Sequence, residues 1–98
     1  MQNNQPQNVN IKISDEILKG QYANMMMITH TKEEFVLDFM NVLPPQGMVV
    51  SRVITSPGHI KRIVAALSEN LKKYEDQFGQ IVEAPTPSNA EIGFKTQG

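Results

Sequence analysis

The spacing of the apolar residues changes once along this chain, and the change separates a strand-rich half from a helical half. Apolar and polar residues alternate at Val9–Ile13, and apolar residues dominate Tyr22–Ile28, Phe35–Val42 and Met48–Thr55. Both patterns are typical of short strands. Beyond these segments apolar residues recur every three or four positions, as in an amphipathic helix. The pattern predicts an α+β fold, an antiparallel β-meander of three to four strands followed by one long C-terminal helix.

Both ends of the long helix are marked by residue type. Ser56 is a favourable N-cap, Pro57 suits the first helical position because no N–H is needed there, and Gly79 suits the position after the last turn. The apolar residues between these ends form one stripe: Ile60, Ile63, Val64, Leu67, Leu71, Tyr74 and Phe78. We expect the stripe to pack on the sheet, with Leu67 buried at its centre.

The turn between the last two predicted strands sets their register. The prolines in Pro44–Gly47 cannot donate to a ladder, and the glycine tolerates a positive φ. A turn centred on Pro45 places Asp38 directly opposite Arg52, and opposite charges across a ladder are favourable. The same pair is our candidate polar contact within an interface, because charges in an apolar surface are costly unless they are paired.

The preceding hairpin is predicted with its turn centred on Lys32, which pairs Met27 with Leu37 and Met25 with Phe39. On this register both faces of the sheet are apolar, whereas a sheet with one solvated face shows polar residues on that side. One helix covers only one face. We therefore expect a symmetric homodimer that buries the other face. Pairing of the helical stripes as a coiled-coil seam is the second-ranked geometry.

Composition limits the class of protein. The chain has 98 residues, no cysteine and a net charge of −1, so disulfides are excluded and the basic excess of most nucleic-acid binders is missing. No apolar run is long enough to span a bilayer, and the N-terminus lacks the features of a signal peptide. We expect a cytoplasmic protein with no membrane partner. The polar ends predict a disordered tail at 1–8, a single domain at 9–81 and a flexible tail at 82–98.

No catalytic, cofactor-binding or metal-binding motif is present in the sequence, and we predict that the protein is not an enzyme and has no cofactor. His59, Lys61 and Arg62 lie where free N–H groups and the helix dipole favour an anion. Binding of an anion or a nucleic-acid backbone there is the alternative function. The main expectation is a non-catalytic protein-interaction module, a small homodimer that could also bind another protein.

Four short patterns give the chain a resemblance to a known family. They are Gly-x-Tyr-Ala-Asn at Gly20–Asn24, Glu-Phe-Val-Leu-Asp-Phe at Glu34–Phe39, Ser-Pro-x-His-x-Lys-Arg at Ser56–Arg62 and Tyr-Glu-x-x-Phe-Gly at Tyr74–Gly79. Together they resemble a family of short, functionally uncharacterised bacterial proteins, a domain of unknown function. The resemblance implies no activity, and no catalytic or binding residue follows from it.

Overall fold

The computed structural model describes residues 7–87, and its element order is the predicted meander followed by a helix. Strands β1 (Met25–His30), β2 (Phe35–Leu43) and β3 (Gln46–Thr55) form one antiparallel sheet in the order β1-β2-β3. A short helix, α1 (Asp15–Lys19), precedes the sheet, and the long helix α2 (Pro57–Phe78) follows it. The α+β fold class is confirmed.

The predicted tails extend beyond the part of the chain that the structure describes. Residues 1–6 and 88–98 lie outside it. The tails at 1–8 and 82–98, and the domain limits at 9 and 81, therefore stay predictions.

The prediction of a fourth strand at Val9–Ile13 is wrong. The segment has no strand structure, and Val9, Ile11 and Ile13 are all exposed. Apolar–polar alternation specifies which side chains share a face, but a strand also needs a neighbouring edge with which to form a ladder. The described sheet contains three strands and does not include this segment.

Helix α2 begins and ends where the sequence predicts. The Ser56 hydroxyl oxygen accepts a hydrogen bond from the His59 N–H at 3.1 Å, and Pro57 occupies the first turn. At the other end Gly79 has a φ of 97°, and its N–H donates to the Glu75 carbonyl at 2.9 Å. That φ lies in the region that glycine adopts without steric cost. Local capping chemistry alone therefore locates both ends of the helix.

The β2–β3 hairpin places Asp38 opposite Arg52, as predicted. The turn and the strand pairing that produce this register differ from the predicted ones. The turn places Leu43 opposite Gln46, so only Pro44 and Pro45 lie between the strands. Taken alone, this turn would shift every β2–β3 pair by one residue from the predicted register. A β-bulge compensates for the shift, because Val50 has no partner between Ser51, which pairs with Phe39, and Val49, which pairs with Met40.

The predicted register of the β1–β2 hairpin is wrong by one residue. Met27 lies opposite Asp38, and Met25 lies opposite Met40. The loop has four residues rather than an odd number, and the Thr31 hydroxyl oxygen stabilises it by accepting hydrogen bonds from the N–H groups of Glu33 and Glu34, each at 3.2 Å. A slip of one residue exchanges the faces of a strand.

The exchange moves Met25 and Met27 to the face that carries Asp38 and Met40, whereas we had predicted them on the opposite face. Both faces of the sheet remain apolar in the corrected register. The core lies along the central strand, where Leu37, Met40 and Val42 are buried. Both outer strands keep large apolar side chains exposed, namely Met26, Ile28, Met48, Val49, Val53 and Ile54.

The prediction that α2 packs on the sheet is also wrong. Leu67 is 66% exposed, and no residue of α2 is buried. Among the described elements, extensive packing joins β1 to β2 and β2 to β3 only. The radius of gyration is 17.6 Å, against about 13 Å for a compact domain of 100 residues. Amphipathic periodicity identified the apolar side of α2 correctly but did not specify what that side faces.

Candidate interaction surface

The paired charges of the sheet form a two-pronged contact. Arg52 donates from Nε to Asp38 Oδ1 at 2.6 Å and from Nη2 to Asp38 Oδ2 at 2.9 Å. The strands place the two residues directly across the ladder. The Asp38 side chain is 3% exposed and that of Arg52 is 56% exposed. The guanidinium therefore covers a buried carboxylate while one side of it stays open to solvent.

The electrostatics of this pair keep both groups charged. The hydrogen bond from Arg52 lowers the pKa of Asp38 below its ordinary value, and the positive charge of Arg52 acts in the same direction against the opposing effect of desolvation. The same hydrogen bond raises the pKa of Arg52. The role of this pair as a polar contact within an interface stays a prediction. Its geometry is complete within one chain, because both carboxylate oxygens are engaged.

Asn24 makes a contact that the sequence analysis missed. Its side-chain Nδ2 donates to the Val42 carbonyl at 2.9 Å, and its Oδ1 accepts from the Val42 N–H at 2.8 Å. The Asn24 N–H also donates to the Met40 carbonyl at 3.0 Å. An amide side chain has one donor side and one acceptor side, so it mimics the backbone of a pairing strand. The only available signal was an asparagine immediately before an apolar run.

The main exposed apolar feature is a stripe on α2, which we call the seam. Its six residues follow a four-three spacing: Ile60, Val64, Leu67, Leu71, Tyr74 and Phe78. Ile60 is half-buried, whereas the other five are between 50% and 66% exposed. The rings of Tyr74 and Phe78 lie 5.0 Å apart, so the C-terminal end of the seam is aromatic. From Val64 to Phe78 the seam thus presents side chains of core type that no element within residues 7–87 covers extensively.

Charges are distributed unevenly along α2. Lys61 and Arg62 lie in the first half of the helix, where no acidic residue precedes Glu69. In the second half, Lys72 pairs with Asp76 at 2.9 Å and Lys73 pairs with Glu69 at 3.3 Å. Both pairs form between successive turns of one helix.

Glu75 differs from these acidic residues because it makes no ion pair within residues 7–87. Its Oε2 accepts a hydrogen bond from the Ile81 N–H at 2.9 Å. The basic first half of α2 and the carboxylate of Glu75, which is hydrogen-bonded but not in an ion pair, therefore lie near opposite ends of the same helix.

The predicted anion site is exposed but has no further support. His59, Lys61 and Arg62 all lie in the first turns of α2 and are exposed to solvent. The His59 N–H, one of the groups that would face an anion, already donates to the Ser56 hydroxyl. Binding of an anion or a nucleic-acid backbone here stays a prediction.

Residues 7–87 contain neither a cluster of metal-ligating side chains nor a membrane-spanning helix. No group of three histidine, aspartate or glutamate side chains in that range is placed to hold a metal ion. His30 stacks on Phe35 with ring centroids 5.2 Å apart. No helix in the same range has the length and apolar character needed to cross a membrane.

The fold and the seam together define a class, a small α+β protein whose antiparallel sheet is followed by a long helix with an apolar side that residues 7–87 leave exposed. The chain belongs to the DUF3467 family, described as a protein of unknown function, and the family model matches residues 1–83. Membership of a family without an assigned activity is thereby confirmed. No curated protein and no solved structure matches the chain.

Proposed function

We propose that this protein is a non-catalytic, cytoplasmic protein-interaction module that works as a homodimer and pairs through the seam of α2. The observation that supports this is the exposure of Val64, Leu67, Leu71, Tyr74 and Phe78, each half or more accessible in the single chain. Contiguous apolar surface of this kind usually marks an interaction site.

The packing that a helix of this length needs for its stability is a second argument for a partner. Most of the stability of a protein helix comes from packing of its apolar face rather than from the intrinsic helix propensity of its residues. The 22 residues of α2 have no extensive packing partner among the described elements. The surface salt bridges along the helix contribute little, about 0–1 kcal/mol each. A second helix against the seam would supply the missing packing.

A second copy of the chain fits this need best. Every copy carries the same seam, so a two-fold axis brings two equivalent surfaces together without another gene product. Pairing of sheet edges is a weaker route, since the bulge at Val50 interrupts the outer strand β3, and bulges are a common device against edge pairing. Asp38, the one buried charged side chain in residues 7–87, has both carboxylate oxygens engaged by Arg52, which fits a role in holding the sheet rather than in acid–base chemistry.

Sedimentation equilibrium of the full chain tests the proposal. At micromolar concentration we expect about twice the chain mass of 11.0 kDa. Leu67→Lys should give the single-chain mass, because it places a charge within the seam. Ala65→Lys is the matched control, since Ala65 is exposed and lies about 160° around the helix axis from Leu67. A wild-type chain that stays monomeric at high concentration would show the proposal to be wrong.

A further inference from the structure

We infer that the seams of the two copies pair antiparallel, with Lys61 of each copy beside Glu75 of the other. This inference rests on the homodimer proposed above and specifies its geometry. It has two independent supports, the sizes of the seam residues and the distribution of charge along α2.

The sizes of the seam residues favour the antiparallel direction. When two such helices pair antiparallel about the midpoint of the seam, Leu67 meets Leu71 of the second copy, Val64 meets Tyr74 and Ile60 meets Phe78. Each outer layer then combines a smaller side chain with an aromatic one. In a parallel dimer the aromatic residues would meet each other and Val64 would meet Val64. Facing large residues with small ones fills a core more evenly.

The charges favour the same direction. Lys61 directly follows the seam residue Ile60, and Glu75 directly follows Tyr74, so both side chains lie on the same flank of the seam. In the antiparallel dimer each Lys61 therefore lies beside Glu75 of the second copy, and the two-fold axis creates this pair twice. Glu75 makes no ion pair within residues 7–87. Its Oε2 accepts a hydrogen bond from the Ile81 N–H, and a carboxylate can accept further hydrogen bonds, so Lys61 of the second copy can contact it as well.

The parallel dimer would have the opposite electrostatics. The basic first turns of both helices, with Lys61 and Arg62, would lie side by side. The helix dipoles would also point the same way, whereas an antiparallel pair places each positive helix end near a negative one. Both effects are modest at the surface, but they act in the same direction as the packing of the seam.

Cysteine crosslinking tests the direction, because the chain has no cysteine of its own. In the antiparallel dimer Ser68, on the flank beside Leu67, lies close to Ser68 of the second copy, so Ser68→Cys should crosslink with a short bifunctional thiol reagent. A mixture of Ile60→Cys and Phe78→Cys chains should crosslink to each other. Ile60→Cys alone should not, since its two copies would be about 27 Å apart along the helix axis.

The outcomes separate the inference from the proposed function. Crosslinking of Ile60→Cys to itself, without the mixed product, would overturn the antiparallel direction while leaving the homodimer intact. A dimeric mass with no crosslink at any of these positions would overturn the seam as the contact. A monomeric mass would overturn both statements. Self-crosslinking at Ser68→Cys together with the mixed product supports the inference.

Charge reversal gives a second, independent readout. Lys61→Glu should weaken the dimer about tenfold, because two surface pairs are each replaced by a repulsion. An acidic residue in the first turns favours the helix itself, so loss of helix cannot explain the result. Adding Glu75→Lys to the same chain should restore most of the affinity. Lys73→Glu is the control, because Lys73 pairs within its own helix. Failure of the double variant to restore affinity would contradict the antiparallel pairing.

Discussion

Replacing Leu67 with alanine should weaken the dimer strongly and destabilise the single chain only slightly. Leu67 is 66% exposed in one chain, so about two-thirds of its surface remains to be buried by a partner. Complete burial of a leucine side chain contributes about 1.5–3 kcal/mol, so the dimer should lose about 1–2 kcal/mol per copy. The two copies together lose about 2–4 kcal/mol, which corresponds to a dissociation constant about 30 to 1000 times larger.

Two measurements separate the effects of this substitution. Sedimentation equilibrium reports the dissociation constant, and urea denaturation over a wide range of protein concentration reports stability. Glu69→Ala is the control, since Glu69 is exposed and lies about 160° around the helix axis from Leu67. A loss of about 2–5 kcal/mol in the unfolding free energy that does not depend on protein concentration, as in a core substitution, would show that Leu67 packs within its own chain and would refute the reasoning.

Three further predictions concern contacts within one chain. Asn24→Ala should lower the unfolding free energy by about 1–3 kcal/mol, because it leaves a backbone donor and a backbone acceptor of Val42 unpaired; an unchanged urea midpoint would contradict it. Asp38 has a lowered pKa in the fold, so its stabilising contribution is present above the unfolded value of about 3.9 and is lost as the pH falls through the lower folded pKa. Asp38→Asn should remove that part of the pH dependence of stability, and identical acid unfolding curves would disprove the assignment. Ser56→Ala should cost about 1 kcal/mol through loss of the N-cap, measured by thermal unfolding of the helical circular dichroism signal.

Local chemistry made some of the fold predictable. The limits of α2 followed from Ser56, Pro57 and Gly79, because each residue has a conformational preference that acts without the rest of the chain. The pairing of Asp38 with Arg52 was predicted from the position of the turn, and the opposite charges of the two residues supported it. That prediction assumed a turn centred on Pro45, whereas the structure reaches the same pairing through a two-proline turn and a bulge. A bulge has no distinctive residue pattern here, so the correct pair could be predicted but the path to it could not.

The first hairpin shows where prediction from the sequence failed. Its register depends on whether the loop contains an odd or an even number of residues, and the polar residues from Thr31 to Glu34 do not decide this by type. The hydrogen bonds accepted by the Thr31 hydroxyl are specific to the folded loop. The role of Asn24 was equally hidden, because its partner Val42 is distant in sequence and only the register of β1 on β2 brings them together.

Helix α2 shows the difference between identifying a surface and identifying its partner. The apolar stripe was found correctly, and we assigned the sheet as its cover because the sheet was the nearest apolar surface within the chain. We ranked the sheet above the helix as the dimer contact because a helix engaged in the dimer would leave the sheet without its only cover within the chain. Residues 7–87 leave the stripe exposed, and this removes that reason. The order of sizes along the seam and the separation of Lys61 from Glu75 were present in the sequence throughout. They become informative only once the seam is seen to lack a packing partner within residues 7–87, because only then do they bear on a second helix and its direction.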